Sequence, residues 1–192
     1  HNLQSLRVVD KLEERYADFP GLNLTFDTRE GILKHCSRRN AEALGDVGQR
    51  FLQRTQPSLE AQLTNLADEI AYNSHDVDDG LRAGLIDVDG LCAVDLFREQ
   101  YEIVRNRYPE LAPRRTIHEV VRRLIGCQVI DLVETSMKIL ADQSPENIES
   151  VRNHDTPLIR FSKAMRERNH ELKRFLRNNL YRHYRVHRMT TK

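Results

Sequence analysis

The chain has 192 residues, a formal net charge of +1, 39% hydrophobic residues and 31% charged residues. These values fit one globular domain, or a domain with an appendage, and lack the strong overall charge that nonspecific nucleic-acid binding uses. No apolar run approaches the roughly 18 residues of a membrane span, and three scattered cysteines (Cys36, Cys92 and Cys127) favour free, mostly buried thiols in a reducing cytoplasm.

The first third of the chain predicts short helices separated by clear breaks. Apolar residues at helical spacing predict a helix over residues 1–17, which a Phe-Pro-Gly sequence ends. Asp27 or Thr28 is predicted to cap a second helix that ends near Arg39. Residues 38–54 are helical or irregular by the same criteria.

A long helix is predicted from Pro57 to about Gly84, and it carries the most informative residues of the sequence. Asp68, Tyr72 and Asp76 lie at i, i+4 and i+8, on one polar stripe. Apolar and small residues surround much of the rest of this helix, so we expect it to be buried. Buried carboxylates need a metal ion, a substrate or a saturated hydrogen-bond network. A solvated acidic face is the alternative.

The remaining sequence also favours helices. Segments 91–108, 114–142 and 162–181 have helical periodicity, with a short helix or turn opening at residues 144–146 and an extended or irregular segment at 155–159. Strand-like alternation does not persist beyond four residues anywhere in the chain. The prediction is an all-α fold without internal repeats.

The common nucleotide and hydrolase motifs are absent from the sequence. There is no GxxxxGK[ST] loop, no GxGxxG fingerprint and no GxSxG elbow. Eight histidines and an aspartate-rich helix remain, and such ligands suit divalent metals such as Mg, Mn, Fe or Ni.

Several segments resemble the bacterial deoxyguanosinetriphosphate triphosphohydrolase (dGTPase)-like family of the HD superfamily. The ADEIAYNSHD run at 67–76 resembles its ADxIAYxxHD signature, and HNLQSLR at 1–7 and LTFDTREGILKH at 24–35 resemble two further motifs. The DTPL sequence at 155–158 and the LKRFL and LYRH sequences within 172–183 are similar to its C-terminal pattern. These segments follow the order of the family.

The resemblance implies a metal site with a first His, a His-Asp pair and a later Asp. It assigns the last of these ligands to Asp68. The pairs His75-Asp76 and His154-Asp155 are not the name-giving pair, because neither lies upstream of Asp68. The chain starts at His1 with the character of a helix interior, so we expect the three other ligands in sequence that precedes it. By this interpretation the 192 residues alone are inactive.

The resemblance also implies a substrate site. Tyr72 would stack under the deoxyribose, and Asp76 would accept a hydrogen bond from the 3'-hydroxyl. His1 matches a family histidine close to the scissile phosphate, the alternative being a solvated His at a helix end.

A second stripe lies on the next long helix, where Arg114, His118 and Arg122 are spaced i, i+4 and i+8. In the related SAM-and-HD-domain dNTPases an Arg-xxx-His-xxx-Tyr stripe reaches the nucleotide, and here Arg122 replaces the Tyr. Arginine suits triphosphate binding, and a basic rim without a ligand is the alternative. The basic C-terminal helix favours a subunit contact or a solvated face over a nucleic-acid site.

The resemblance thus predicts an HD-type helical bundle, with residues 1–143 as part of the catalytic core and 144–192 as a C-terminal helical extension. The implied function is metal-dependent hydrolysis of a dNTP to deoxynucleoside and triphosphate in the cytoplasm. The alternatives are a nucleotide sensor without this activity and a helical interaction protein. The resemblance also implies a homo-oligomer and leaves room for a nucleotide or single-stranded DNA effector.

Overall fold

A computed structural model describes residues 2–33 and 36–182, and these residues form helices and no strands. The all-α prediction is therefore confirmed for this part of the chain. Ten α-helices follow one another: α1 (Asn2–Arg7), α2 (Phe26–Ile32), α3 (Arg38–Ala43), α4 (Gln49–Gln53), α5 (Leu59–Arg82), α6 (Val88–Leu91), α7 (Asp95–Arg107), α8 (Pro113–Gln143), α9 (Ile148–Arg152) and α10 (Lys163–Leu176). No described helix is both long enough and apolar enough to cross a membrane.

The helix boundaries differ from the predicted ones mainly near the N-terminus. α1 continues only as a π-helical turn to Leu12, because the following loop folds back: Leu22 donates its backbone N–H to the carbonyl of Val9 (2.7 Å) and Gly21 to that of Glu13 (2.9 Å). The cap of α2 is Thr25, whose hydroxyl accepts from the N–H of Thr28. The predictions of a helix to residue 17 and of a cap at Asp27 or Thr28 are therefore wrong.

The described residues divide into two compact units, each with its own packing. Unit 1 contains residues up to 66 together with 136–160, and unit 2 contains 67–135 together with the described residues from 161 onward. The unit boundaries fall inside α5 and α8. The predicted division into a catalytic core and an extension at residues 143 and 144 stays a prediction.

Unit 1 combines a small apolar cluster with a buried ionic one. The apolar residues are Leu6, Val9, Phe26, Leu33, Leu44, Val47 and Phe51. Gln62, which is buried on α5, accepts from the backbone N–H groups of Leu158 (2.8 Å) and Ile159 (3.0 Å) and donates to the carbonyl of Pro57 (2.9 Å). This one amide satisfies backbone groups of the irregular segment at 155–159, which explains why that segment is ordered without being helical.

The ionic group, here called the Glu30 cluster, consists of Glu30, Asp27, Arg50 and Arg152. Glu30 is completely buried. Arg152 donates to the carboxylates of Glu30 (3.1 Å) and Asp27 (3.1 Å), and Arg50 lies 3.6 Å from Glu30. Burial raises the pKa of Glu30, whereas the charges of Arg152 and Arg50 lower it. The cluster therefore links α2, α4 and α9 inside unit 1.

Unit 2 places α10 against α7 and α8. Asp131 of α8 accepts from both the hydroxyl (2.6 Å) and the N–H (2.9 Å) of Ser162, the residue that caps α10. Arg168 of α10 forms a two-pronged pair with Glu99 of α7, at 2.6 and 2.8 Å. These contacts fix the start and the middle of α10.

Two glycines shape the end of α5. Gly84 has φ +64°, a conformation that favours glycine, and the helix ends just before it. Gly80 lies inside the helix, where a Cβ atom would come within 2.8 Å of Ile86 and 3.3 Å of Leu180. Leu180, which approaches Gly80, belongs to a π-helical turn that follows α10, Arg177–Tyr181.

The predicted burial of the apolar surface on the long helices is only partly correct. On α5 the side chain of Leu63 is 47% exposed, and Ala67 and Ala71 are exposed as well. On α8 the exposed large hydrophobic residues are Val129, Ile130, Val133 and Met137. The three cysteines are free and half-buried rather than mostly buried.

Candidate functional site

The predicted stripe on α5 lies on an accessible face of unit 2. Asp68 is exposed, Tyr72 is 58% exposed, and Asp76 is half-buried. The expectation that this helix is buried around the stripe is therefore wrong within the described residues. The three side chains follow one another along the helix as i, i+4 spacing requires.

The C-terminal segment of unit 2 packs along the same stripe. The hydroxyl of Tyr181, on the π-helical turn after α10, donates a hydrogen bond to the Oδ2 atom of Asp76. The rings of Tyr72 and Tyr181 lie 6.4 Å apart, centroid to centroid, with an interplanar angle of 45°. Four residues before this turn begins, Lys173 of α10 pairs with Glu69 of α5 at 2.5 Å.

The two groups of the Asp76–Tyr181 pair have shifted ionisation. Burial raises the pKa of Asp76, and Asp79 raises it further, while the hydrogen bond from Tyr181 and the proximity of His75 lower it. Burial also raises the pKa of Tyr181 strongly, and the carboxylate of Asp76 adds to that rise. Tyr181 is therefore a neutral donor at physiological pH, and Asp76 retains a carboxylate oxygen for another donor.

A separate pocket of about 320 Å³ lies between α5 and α8 in unit 2. Its polar residues are Asp78, Arg82, Arg114 and His118, and its apolar residues are Leu81, Val88, Pro113 and Ile117. The Nδ1 atom of His118 is 3.9 Å from the Oδ1 atom of Asp78. Two guanidinium groups beside an imidazole can bind an anion, and the apolar walls can hold an uncharged ring.

The structure brings together two of the three residues predicted on α8. Arg114 and His118 line the pocket, whereas Arg122 is exposed and pairs with Glu119 on its own helix. Asp76 and Asp78 are two residues apart, which places them about 160° apart around the axis of α5. The stripe of Asp68, Tyr72 and Asp76 and the pocket lined by Arg114 therefore occupy different sides of one helix.

The histidines contribute less to these sites than their number in the sequence indicates. His1, Lys34 and His35 lie outside the described residues. His75 is exposed. The ring nitrogens of His154 contact the carbonyl of Thr156 (2.8 Å) and the side chain of Gln143 (3.1 Å). His154 is thus engaged in local contacts within unit 1.

Sequence comparison with known proteins adds a family to this geometry. Residues 159–192 match the phosphohydrolase-associated domain. All 192 residues align with a deoxyguanosinetriphosphate triphosphohydrolase-like protein of Bordetella pertussis at 62% identity, over 50% of that protein. The corresponding values are 58% and 51% for a protein of the same description from Thiobacillus denitrificans, and 55% and 49% for one from Ralstonia nicotianae.

The predicted family resemblance is confirmed. The chain carries a dGTPase-like sequence throughout, and it spans about half the length of the relatives that it matches. The name of the relatives and the description of the matched domain both refer to phosphohydrolases. The region of the phosphohydrolase-associated domain contains Tyr181, which contacts Asp76 of the α5 stripe, and Lys173, which pairs with the neighbouring Glu69.

The metal prediction can be compared with the side chains that the structure describes. Within residues 2–33 and 36–182, no three or more His, Cys, Asp or Glu side chains are grouped so that they could hold a metal ion. A single exposed carboxylate such as that of Asp68 does not make a site by itself. The described residues alone therefore do not fit a metal centre.

Sequence reasoning missed several residues of the two sites. Asp78 and Arg82 line the pocket with Arg114 and lie four residues apart on α5, so helical spacing could have indicated them. Tyr181 contacts a residue 105 positions earlier in the chain, and no periodicity predicts such a contact.

Proposed function

We propose that the complete protein hydrolyses a deoxynucleoside triphosphate to deoxynucleoside and triphosphate. The 62% sequence identity to a dGTPase-like protein, over all 192 residues of the chain, supports this proposal. The observation that carries it is the accessible stripe of Asp68, Tyr72 and Asp76 on α5, beside which the phenol of Tyr181 lies against Tyr72 and Asp76. Hydrolysis breaks the bond between the α-phosphorus and the 5'-oxygen, and water supplies the new oxygen on the phosphate.

The proposed roles follow from the chemistry of each group. Asp76, as an ionised acceptor, binds the 3'-hydroxyl of the sugar. The exposed ring of Tyr72 packs under the deoxyribose, which disfavours a 2'-hydroxyl. Arg114 and His118 are proposed to contact an anionic group of a nucleotide in their own pocket, since that pocket lies on a different side of α5 from Asp76. Arg122 is the third proposed contact, and it would have to leave Glu119 to reach the ligand.

We also propose that Asp68 is one ligand of a divalent metal, Mg or Mn, with Fe and Ni as further candidates. The other ligands, and the predicted catalytic residue His1, lie outside the described residues. By this proposal the 192-residue chain alone has no turnover. A homo-oligomer in the cytoplasm, with a nucleotide or single-stranded DNA effector, remains part of the proposal.

The test is incubation of the complete protein with each of the four dNTPs and Mn or Mg, followed by chromatographic separation of the products. We expect deoxynucleoside and triphosphate in equal amounts. Release of only pyrophosphate or orthophosphate would contradict the proposed bond cleavage. Nucleotide binding without any product would favour the sensor function.

The variant Asp68→Ala tests the metal proposal. We expect lower metal content by elemental analysis and loss of turnover, with the circular dichroism spectrum unchanged. Glu60→Ala, which removes an exposed carboxylate elsewhere on α5, is the control and should retain both properties. Unchanged metal content in the Asp68 variant would remove Asp68 from the ligand set.

A further inference from the structure

The contact between Tyr181 and Asp76 has a consequence for ligand recognition that the family resemblance does not contain. We propose that Tyr181 is a positioning residue that prepares the carboxylate of Asp76 to select ligands with a 3'-hydroxyl on the sugar. This inference rests on the proposed function, because that function assigns the sugar to Asp76.

The hydrogen bond from Tyr181 gives the two carboxylate oxygens of Asp76 different roles. Tyr181 donates to Oδ2, which leaves Oδ1 to accept from a ligand. A half-buried carboxylate without a fixed donor can turn about its terminal torsion, and an acceptor that turns loses directional preference. The phenol therefore fixes the direction in which Asp76 accepts its next hydrogen bond.

The same contact opposes the protonation of Asp76, because it lowers a pKa that burial raises. Its burial and the neighbouring Asp79 raise its pKa, while Tyr181 and His75 lower it. Tyr181 remains protonated because burial and the carboxylate raise its own pKa. An ionised Asp76 can only accept hydrogen bonds. It therefore favours a sugar with a 3'-hydroxyl, which can donate, over a sugar with a hydrogen atom at that position, which cannot.

The rings of Tyr72 and Tyr181 border this carboxylate. Their centroids are 6.4 Å apart at 45°, and Tyr72 is 58% exposed, so one phenol can contact a sugar while the other holds the carboxylate. Tyr181 reaches this position because its turn packs at Gly80, one helical turn after Asp76. The segment from α10 thus contributes a side chain to the stripe on α5.

The experiment measures binding of 2'-deoxyguanosine and 2',3'-dideoxyguanosine to the complete protein by calorimetry. These nucleosides differ only in the 3'-hydroxyl and need no turnover. We expect the wild-type protein to prefer deoxyguanosine by about tenfold or more, as for a hydrogen bond to a charged group. We expect Tyr181→Phe, which removes one oxygen and keeps the ring, to reduce this ratio about three- to tenfold.

A pH series separates positioning from a merely structural role. Without the phenol the pKa of Asp76 rises further, so the loss of deoxyguanosine binding at acidic pH begins at a higher pH in Tyr181→Phe than in wild type. His75 and Asp79 on α5 and Tyr72 are unchanged in this variant. Tyr181→Leu, a second variant without the hydroxyl, should show the same shift and guards against a folding defect specific to one substitution.

Two comparison variants complete the design. Tyr108→Phe removes a hydroxyl from an exposed tyrosine at the end of α7 and should leave the ratio unchanged. Asp76→Asn should bring the ratio close to one. If Asp76→Asn keeps the wild-type ratio, the assignment of the sugar to Asp76 is wrong, and the inference is lost with it.

If Asp76→Asn loses the ratio and Tyr181→Phe keeps it, only the inference about Tyr181 is overturned. Tighter binding of deoxyguanosine by Tyr181→Phe would also overturn it, because the phenol would then compete with the ligand. Equal binding of both nucleosides by the wild-type protein excludes the selection itself. The products of dNTP hydrolysis, measured separately, decide the proposed function.

Discussion

The Glu30 cluster in unit 1 and the Asp76–Tyr181 pair in unit 2 both place a carboxylate next to donors, but in opposite surroundings. Glu30 is completely buried between two guanidinium groups. Asp76 is half-buried on an accessible helix face and receives one hydroxyl from Tyr181. Glu30 has charged partners and is not accessible to a ligand. Asp76 has a neutral partner and a second carboxylate oxygen that can accept a hydrogen bond from a ligand.

This difference indicates what each group does. A charge that is removed from water must be compensated by partners within the fold. The Glu30 cluster joins three helices in this way, so its loss should lower the free energy of unfolding. A half-buried carboxylate with one neutral donor costs less to maintain and can exchange partners with a ligand. We therefore expect substitutions in the first group to change stability and those in the second to change binding.

The largest effect is expected for Arg152→Met, which removes a charge from the Glu30 cluster and keeps most of the side chain's length. Glu30 would remain buried with Arg50 alone, 3.6 Å away. We expect a loss of about 3 kcal/mol in the free energy of unfolding, measured by urea denaturation. Arg38→Met is the matched control, since its pair with Glu42 is exposed, and it should cost less than about 0.5 kcal/mol.

The pH dependence of this loss has a definite sign. Arg152 favours the ionised form of Glu30, so its removal raises the folded-state pKa of Glu30 above the value in wild type, which burial already raises. The destabilisation of Arg152→Met is then present at neutral pH and decreases as the pH falls through that raised pKa. A loss that grows on acidification would show that the pair with Glu30 is not its cause.

A smaller effect is expected for Asp131→Ala in unit 2. Asp131 accepts two hydrogen bonds from Ser162 at the start of α10, at 2.6 and 2.9 Å. Its removal should cost about 1–2 kcal/mol, because two hydrogen bonds from the capping residue to a charged group are lost together. Urea denaturation measures this loss, with Asp142→Ala, an exposed residue of the same helix, as the control. Equal midpoints for both variants would refute the assigned contact.

The smallest effect on stability is expected for Asp76→Asn. The pKa of Asp76 is raised in the folded state, so its ionisation slightly disfavours folding at pH values above that pKa. The variant should unfold at a slightly higher midpoint than wild type at pH 7, and the difference should vanish as the pH falls through the raised pKa. A clear drop in the denaturation midpoint at pH 7 would show that Asp76, like Glu30, stabilises the folded state.

The sequence predicts the long helices well because their signals are local. The predicted limits of α8, residues 114 and 142, lie one residue inside the observed ones, and α5 ends two residues before Gly84, as glycine at a helix end indicates. The end of α1 is missed because the carbonyls of Val9 and Glu13 bind a loop that turns back on the helix. Such competition depends on tertiary packing.

The candidate site is predictable only in part for the same reason. Helical spacing and the family motif select Asp68, Tyr72 and Asp76, and spacing on α8 brings Arg114 and His118 to one pocket. Spacing does not reveal that α5 presents its residues on two sides, or that Arg122 pairs with Glu119. The contact of Tyr181 with Asp76 depends on how α10 docks, which no short segment of sequence encodes.

Gly80 sets how near the C-terminal turn can come to α5. The place where its side chain would be is taken by Ile86 and Leu180, and Leu180 immediately precedes Tyr181. A methyl group here would come within 2.8 Å of Ile86 and 3.3 Å of Leu180, so the ends of both side chains would have to shift. The absence of one carbon atom at residue 80 thus leaves room for a side chain that lies a hundred residues further along the chain.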